Sequence, residues 1–273
     1  MASPIESTWS HTTVLIETPQ GGRGTGFLVG RPAGTDRWKV YLVTNKHVLD
    51  PDPSARAALD YVNLHLNVTK AGTVVGETVR FGLKENNTPI WREHGDIAVD
   101  VLAIPVSHLY AGRTDLANKF APEALFAPAA VRKTLDISAG EEIVVVGYPS
   151  GIRQGLTNLP LVRQGIISTR IGEELHEEEP IAGGGVRIRK TRGFLIDGAT
   201  IPGSSGSPVV LKPVIGRQQG DTIMMGSTQP VLLGIVAETR FAPIKVTGGA
   251  IPGFAGLGLA FEVETIVETL NLF

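Results

Sequence analysis

"IPGSSGSPVV" (Ile201–Val210) is the stretch on which the fold and the chemistry turn. Three serines stand among glycines and prolines, and two valines follow. A serine that attacks a carbonyl needs an exposed hydroxyl on a tight turn. Main-chain N–H groups must point to where the oxyanion develops. Glycine flanks permit that turn and let a substrate approach closely. Gly203, Ser204–Ser205, Gly206 and Ser207–Pro208 offer such a turn, and Val209 and Val210 read as a strand entering the core. The same letters also suit an ordinary Gly/Ser/Pro turn between strands. Working outward, the test is whether the chain supplies a base and an acid to orient it.

The six histidines are His11, His47, His65, His94, His108 and His176. His47 lies in "VYLVTNKHVLDP", where an apolar strand ends and a short turn begins, so its side chain leaves the sheet and faces a cleft. His65 sits in an alternating strand and reads as structural. His176 sits in an acidic run and reads as solvated. For the acid, "HGDIAVDVLAI" puts Asp96 just before an apolar strand and Asp100 within it, on the same face but deeper. A lone aspartate at a strand start also serves as a turn cap.

The rest of the chain sets the frame. Its 273 residues suit one large domain or two small ones. It is 42% hydrophobic and 19% charged, with net charge −2, so no basic field calls for nucleic acid or an anionic membrane. The local run "RIRKTR" (Arg187–Arg192) reads as a solvated strand edge. Without cysteine, neither disulfides nor thiolate metal sites exist. The histidines lack metal-ligand spacing and no glycine motif cradles phosphate, so no metal or other cofactor is expected. The opening "MASPIESTWSHTTVLIET" has no basic start followed by an apolar run, and no stretch is apolar enough to span a bilayer. With Met1 as the natural start, a cytoplasmic protein is expected.

Periodicity is mostly two. Strands are expected at Thr12–Thr18, Thr25–Val29, Lys39–Thr44, Tyr61–Val68, Val74–Phe81 and Ile97–Ile104. A second set is expected at Glu142–Tyr148, Leu161–Ile171, Val186–Ile196, Pro208–Leu211, Asp221–Met225, Pro230–Glu238 and Leu257–Phe261. Two sets of short antiparallel strands predict an all-β protein of two barrels or sandwiches. Domain bounds follow: a first unit over 9–105, a linker of short helices over 106–134, a second unit over 135–262 and a terminal helix over 263–273. In that helix Val263, Ile266, Val267 and Leu270 share a face. The acidic run Gly172–Gly185 is expected to be an exposed mobile loop. The order His, Asp, Ser puts the first two in the first unit and the serine in the second, with a cleft between.

These residues resemble the trypsin/chymotrypsin-fold serine peptidases, in particular the cysteine-free bacterial HtrA/Deg-like branch. The resemblance rests on "GTGFLV" (Gly24–Val29), "YLVTNKHVL" (Tyr41–Leu49), "GDIAVDVLAI" (Gly95–Ile104) and "VVVGYPSG" (Val144–Gly151). It continues through "VRQGIIST" (Val162–Thr169), "GSSGSPVV" (Gly203–Val210), "LLGIVAET" (Leu232–Thr239) and "GLGLAF" (Gly256–Phe261), all in family order. It implies two antiparallel six-stranded barrels with a C-terminal helix. The family pattern Gly-x-Ser-Gly-x-Pro selects Ser205 as nucleophile, with His47 as general base, Asp96 orienting it, and the N–H groups of Gly203 and Ser205 forming the oxyanion hole. Ser204 stands where digestive trypsins carry the aspartate of zymogen activation, so that switch is absent. Ala199 falls at the base of the primary specificity pocket, with Ala237, Thr239 and Gly258 in its walls. Asp197 is near in sequence. A small or medium apolar residue is therefore expected before the scissile bond, rather than Arg or Lys.

The implied partner is a protein or peptide substrate. A partner-gated or silent binding module on the same fold is the alternative, because the acidic run and the glycine-rich Val246–Gly258 border the expected cleft and suit order–disorder switching. That reading allows an activating partner protein. An α/β-hydrolase esterase is set aside: its Gly-x-Ser-x-Gly elbow is missing and its histidine comes last in the chain.

Overall fold

The computed structural model describes residues 3–181, 183–198, 200–219, 222–225, 229–246 and 249–273. The first half is built on β1 (Thr13–Glu17), β2 (Arg23–Pro32) and β3 (Trp38–Thr44), followed by two short helices, α1 (Lys46–Leu49) and α2 (Pro53–Ala58). A long hairpin follows, β4 (Tyr61–Lys70) with β5 (Thr73–Gly82). After it come a minimal hairpin, β6 (Lys84–Glu85) with β7 (Thr88–Pro89), then β8 (Arg92–Glu93) and β9 (Leu102–Pro105). The sheet order is β5-β4-β1-β2-β3-β9-β8, with β10 (Ala121–Pro122) running parallel to β2.

The second half contains α3 (Ala129–Thr134), β11 (Glu142–Gly147), β12 (Leu161–Ile167), the hairpin β13 (Leu175–Pro180) with β14 (Val186–Thr191), β15 (Phe194–Asp197) and β16 (Pro208–Leu211). It continues through β17 (Gly216–Gln219), β18 (Thr222–Met225), β19 (Leu232–Val246), β20 (Gly249–Glu262) and α4 (Val263–Leu270). Six of these close into a barrel, β11-β12-β15-β20-β19-β16, while β17 and β18 pair with each other outside it.

The protein is thus predominantly β, with one closed six-stranded barrel. The expectation of two such barrels holds for the second half only. Among the described residues the first half is an open eight-stranded sheet. Alternation marks strands, but closure depends on tilt and stagger, which alternation does not encode. Three further expectations need correcting. The acidic run Gly172–Gly185 is not a loop throughout, because Leu175–Pro180 pairs in register with Val186–Thr191. The glycine-rich Val246–Gly258 enters β20, which runs antiparallel to β19 from Gly249 onward; residues 247 and 248 lie outside the described set. The expected strand Ile97–Ile104 begins only at Leu102.

The halves are held by strands buried on both faces. In β3, Val40 and Leu42 pack into the first half, while Tyr41 and Val43 face the second. β11 mirrors this: Ile143 and Val145 fill the barrel, and Val144 and Val146 face back. Val263, Ile266 and Leu270 of α4 complete this shared layer with Trp9, Phe27 and Phe261. Each such side chain contributes about 1.5–3 kcal/mol on burial, so the layer fixes the seam on which the site lies. Trp9 adds a bond across it, donating from Nε1 to Pro230 O at 2.9 Å. Among the described residues no helix is long and apolar enough to cross a membrane.

Candidate active site

The turn before β16 treats its three serines differently. Ser204 is buried, its hydroxyl accepting from Arg163 Nη2 at 2.8 Å and from Ile201 N at 3.3 Å. Ser207 is also buried, and its hydroxyl has no partner among the described residues. Ser205 alone of the three lines the cleft between the halves. Its hydroxyl donates to Ala237 O at 3.1 Å. Ala237 is skipped in the β19–β20 pairing, and a bulged residue keeps its polar groups off the ladder.

The turn needs its glycines. Gly203 and Gly206 have φ of +90° and +84°. A Cβ on Gly206 would lie 1.8 Å from Thr25 O, and one on Gly203 would lie 2.6 Å from Tyr148 O. Main-chain bonds fix the rest: Ser204 N to Ile201 O, Ser207 N to Ser204 O, Gly206 N to Val236 O and Thr25 N to Ser205 O. The N–H groups of Gly203 and Ser205 have no acceptor among the described residues.

His47 sits on α1, where the chain leaves β3. Each of three consecutive residues there grips the segment His94–Asp100. Asn45 Nδ2 donates to Asp100 O at 2.6 Å, and Lys46 Nζ to His94 O at 3.2 Å and Asp96 O at 3.3 Å. His47 N donates to Asp100 Oδ1 at 3.2 Å, while its Nδ1 meets Asp100 Oδ2. Burial pushes the Asp100 carboxyl up, but the His47 hydrogen bonds and charge outweigh it and hold the group below its ordinary value.

The acid beside His47 is therefore Asp100, which corrects the expectation of Asp96. Asp96 is exposed, and its carboxylate accepts from Ala98 N at 2.9 Å. Val99 N closes the same turn on Asp96 O at 3.1 Å. An aspartate that binds the main chain two residues on is a turn former, so Asp96 is spent locally. Because 96–99 is a turn rather than a strand, the two aspartates do not share a face.

His47, Ser205 and Gly203 line one cleft of about 470 Å³, with Arg23, Val48, Asp50 and Pro202. Of the expected pocket residues, Ala237 is buried, Thr239 half-buried and Gly258 buried; Ala199 lies outside the described residues. Thr200, unremarked in the sequence, packs where a Cβ on Gly258 would stand, 2.5 Å from that position, and donates to Leu257 O at 3.2 Å. The Asp197 side chain is exposed. Two further residues missed by sequence reasoning are Lys46, adjacent to His47, and Thr25, inside a stretch noted for its resemblance but given no role.

A family model described as trypsin-like peptidase domain matches residues 24–213, a span that includes His47, Asp100 and Ser205. Among solved structures, the chain is similar to the inactive form of Rv3671c from M. tuberculosis H37Rv, crystallised as a serine-to-alanine mutant. The identity is 18%, over 98% of this chain and 89% of that one, with a TM-score of 0.49. It is also similar to the active form of the Rv3671c protease from M. tuberculosis at 17% identity, over 98% of this chain and 82% of that one, with a TM-score of 0.49. No curated protein matches the chain. With the family match covering well over half of its length, the chain belongs to the trypsin-like peptidase domain family.

Proposed function

We propose that the protein is a serine endopeptidase in which Ser205 attacks the substrate carbonyl, His47 takes and returns the proton, and Asp100 orients His47. The observation that carries this reading is His47, with Nδ1 against Asp100, sharing a cleft with the one serine of the turn that opens to it. Ser205 swings its hydroxyl from Ala237 O to His47 Nε2 and loses its proton there as Oγ bonds to the carbonyl carbon. The N–H groups of Gly203 and Ser205 receive the oxyanion. His47 then protonates the leaving amine, and water releases the acyl group by the reverse steps.

The pocket favours a small or medium apolar residue before the scissile bond, because Thr200 packs against Gly258 and Ala199 brings no acid. A fluorophosphonate probe tests the chemistry. Wild type takes the label and Ser205→Ala does not, with kcat falling by about 10⁶, as in other serine peptidases that lose the nucleophile. Labelling retained in Ser205→Ala, or peptide-library cleavage chiefly after Arg, refutes the corresponding part. The resting bond of Ser205 to Ala237 O favours one second reading, a peptidase latent until a partner binds. That reading predicts labelling only when the partner is added.

A further inference from the structure

Two of the stretches that carry the family resemblance, Gly24–Val29 and Val144–Gly151, supply no reacting group. In the structure both close on the nucleophile turn, and they meet at Thr25. Its hydroxyl donates to Gly203 O at 2.9 Å and accepts from Tyr148 N at 3.0 Å. Its N–H donates to Ser205 O at 2.9 Å, and its carbonyl accepts from Thr44 Oγ1 at 2.7 Å. Thr25 is fully buried, and each of its polar atoms is engaged.

The geometry of the peptide unit gives these bonds their meaning. In a trans peptide the N–H points opposite to the C=O, so holding one end aims the other. The Gly203 N–H belongs to the 202–203 unit, whose carbonyl accepts from Ser150 N at 2.8 Å. The Ser205 N–H belongs to the 204–205 unit, whose carbonyl accepts from Ser207 N at 3.0 Å. Between them lies the 203–204 unit, held at its N–H by Ile201 O and at its carbonyl by the Thr25 hydroxyl. Without that hydroxyl the Gly203 carbonyl has no donor among the described residues. Rotation of the unit then carries a carbonyl oxygen toward the place where negative charge develops.

We infer that Thr25, reaching from the first half of the molecule, is the positioning residue that keeps the Gly203 and Ser205 N–H groups aimed at the oxyanion. The inference rests on the peptidase reading above. The tests use Thr25→Val, which keeps the shape and removes the hydroxyl, and Thr25→Ser, which restores it. On a peptide substrate Thr25→Val lowers kcat by about 10–100-fold, somewhat less than the loss of an oxyanion donor itself, with KM changed by less than about 3-fold. Affinity for a peptide boronate, which takes up the tetrahedral form on Ser205, falls by the same factor as kcat. Affinity for the product peptide does not change, and Thr25→Ser recovers most of both losses.

A purely structural role for Thr25 lowers the folded fraction without separating boronate from product binding. If Thr25→Val fails to fold, Thr25→Cys against Thr25→Ser makes the same comparison at equal size. Wild-type kcat and boronate affinity in Thr25→Val, or no rescue by serine, overturns the inference and leaves the peptidase reading intact. A wild type that neither cleaves nor takes the fluorophosphonate overturns that reading, and this inference with it.

Discussion

The turn that presents Ser205 and the segment that places Asp100 against His47 serve one site, and they are built by opposite means. The Ser205 turn is held mostly by main-chain bonds, with the Thr25 hydroxyl as a side-chain tie, and by glycines whose Cβ positions are already filled by neighbouring backbone. The Asp100 segment is held by side chains: Asn45, Lys46 and His47 from one direction and Glu268, through His94, from another. A main-chain scaffold tolerates most changes of side chain, the Thr25 hydroxyl excepted, but no added Cβ. A side-chain scaffold gives way one residue at a time.

The largest effect that separates the two is chemical. Asp100→Asn lowers kcat by about 10⁴, because an amide no longer fixes the His47 tautomer or stabilises its protonated form. Asp96→Asn changes kcat by less than about 3-fold, since Asp96 only closes its own turn. Steady-state kinetics on both variants checks this, and equal losses would break the assignment. The next effect falls on the Ser205 turn. Gly206→Ala costs at least about 3 kcal/mol, because φ of +84° is strained for alanine and its Cβ would stand 1.8 Å from Thr25 O. Urea unfolding measures it, and a loss under about 1 kcal/mol would mean the turn is looser than its contacts imply.

The same contrast explains what the sequence made legible. A turn that only glycine can adopt leaves glycines at fixed spacing, so Gly203–Ser205–Gly206 stood out, and His47 at the end of an apolar strand fell into the same cleft. The Asp100 segment leaves no such trace. Asp96 and Asp100 are both plausible beside an apolar run, and only the turn at 96–99, closed by Val99 N, decides between them. Strands of the first half were legible from alternation, yet that sheet stays open while the second closes. The acidic run misled for a related reason. Its charge suggests a solvated loop, but Glu177 pairs with Arg240 at 2.7 Å and Arg189 with Glu238 at 3.0 Å, so the hairpin docks on β19 through partners distant in sequence.

The smallest effect sharpens the comparison at the far end of the Asp100 segment. Glu268 on α4 accepts from Arg192 through both oxygens, at 2.8 and 2.9 Å, and pairs with His94 Nε2 at 2.7 Å. His94 Nδ1 accepts from Asp96 N at 3.0 Å, so the His94 ring donates from Nε2 and ties the segment to the second half. The Arg192 hydrogen bonds, opposed by burial and helped by His94, pull the Glu268 carboxyl from 4.5 down to about 2. A depressed carboxylate contributes stability that is present above its unfolded value and lost as pH falls through the folded one. Wild type therefore exceeds Glu268→Gln in stability above pH 4.5, and the gap closes between pH 4.5 and about 2. Because Glu268 and Arg192 are 45% and 39% exposed, the gap is under about 1 kcal/mol and shrinks with added salt. Thermal melts of both proteins across that range read it directly. A gap that persists at pH 2 would mean the glutamate acts through packing alone, leaving Asn45, Lys46 and His47 as the polar grip on the Asp100 segment.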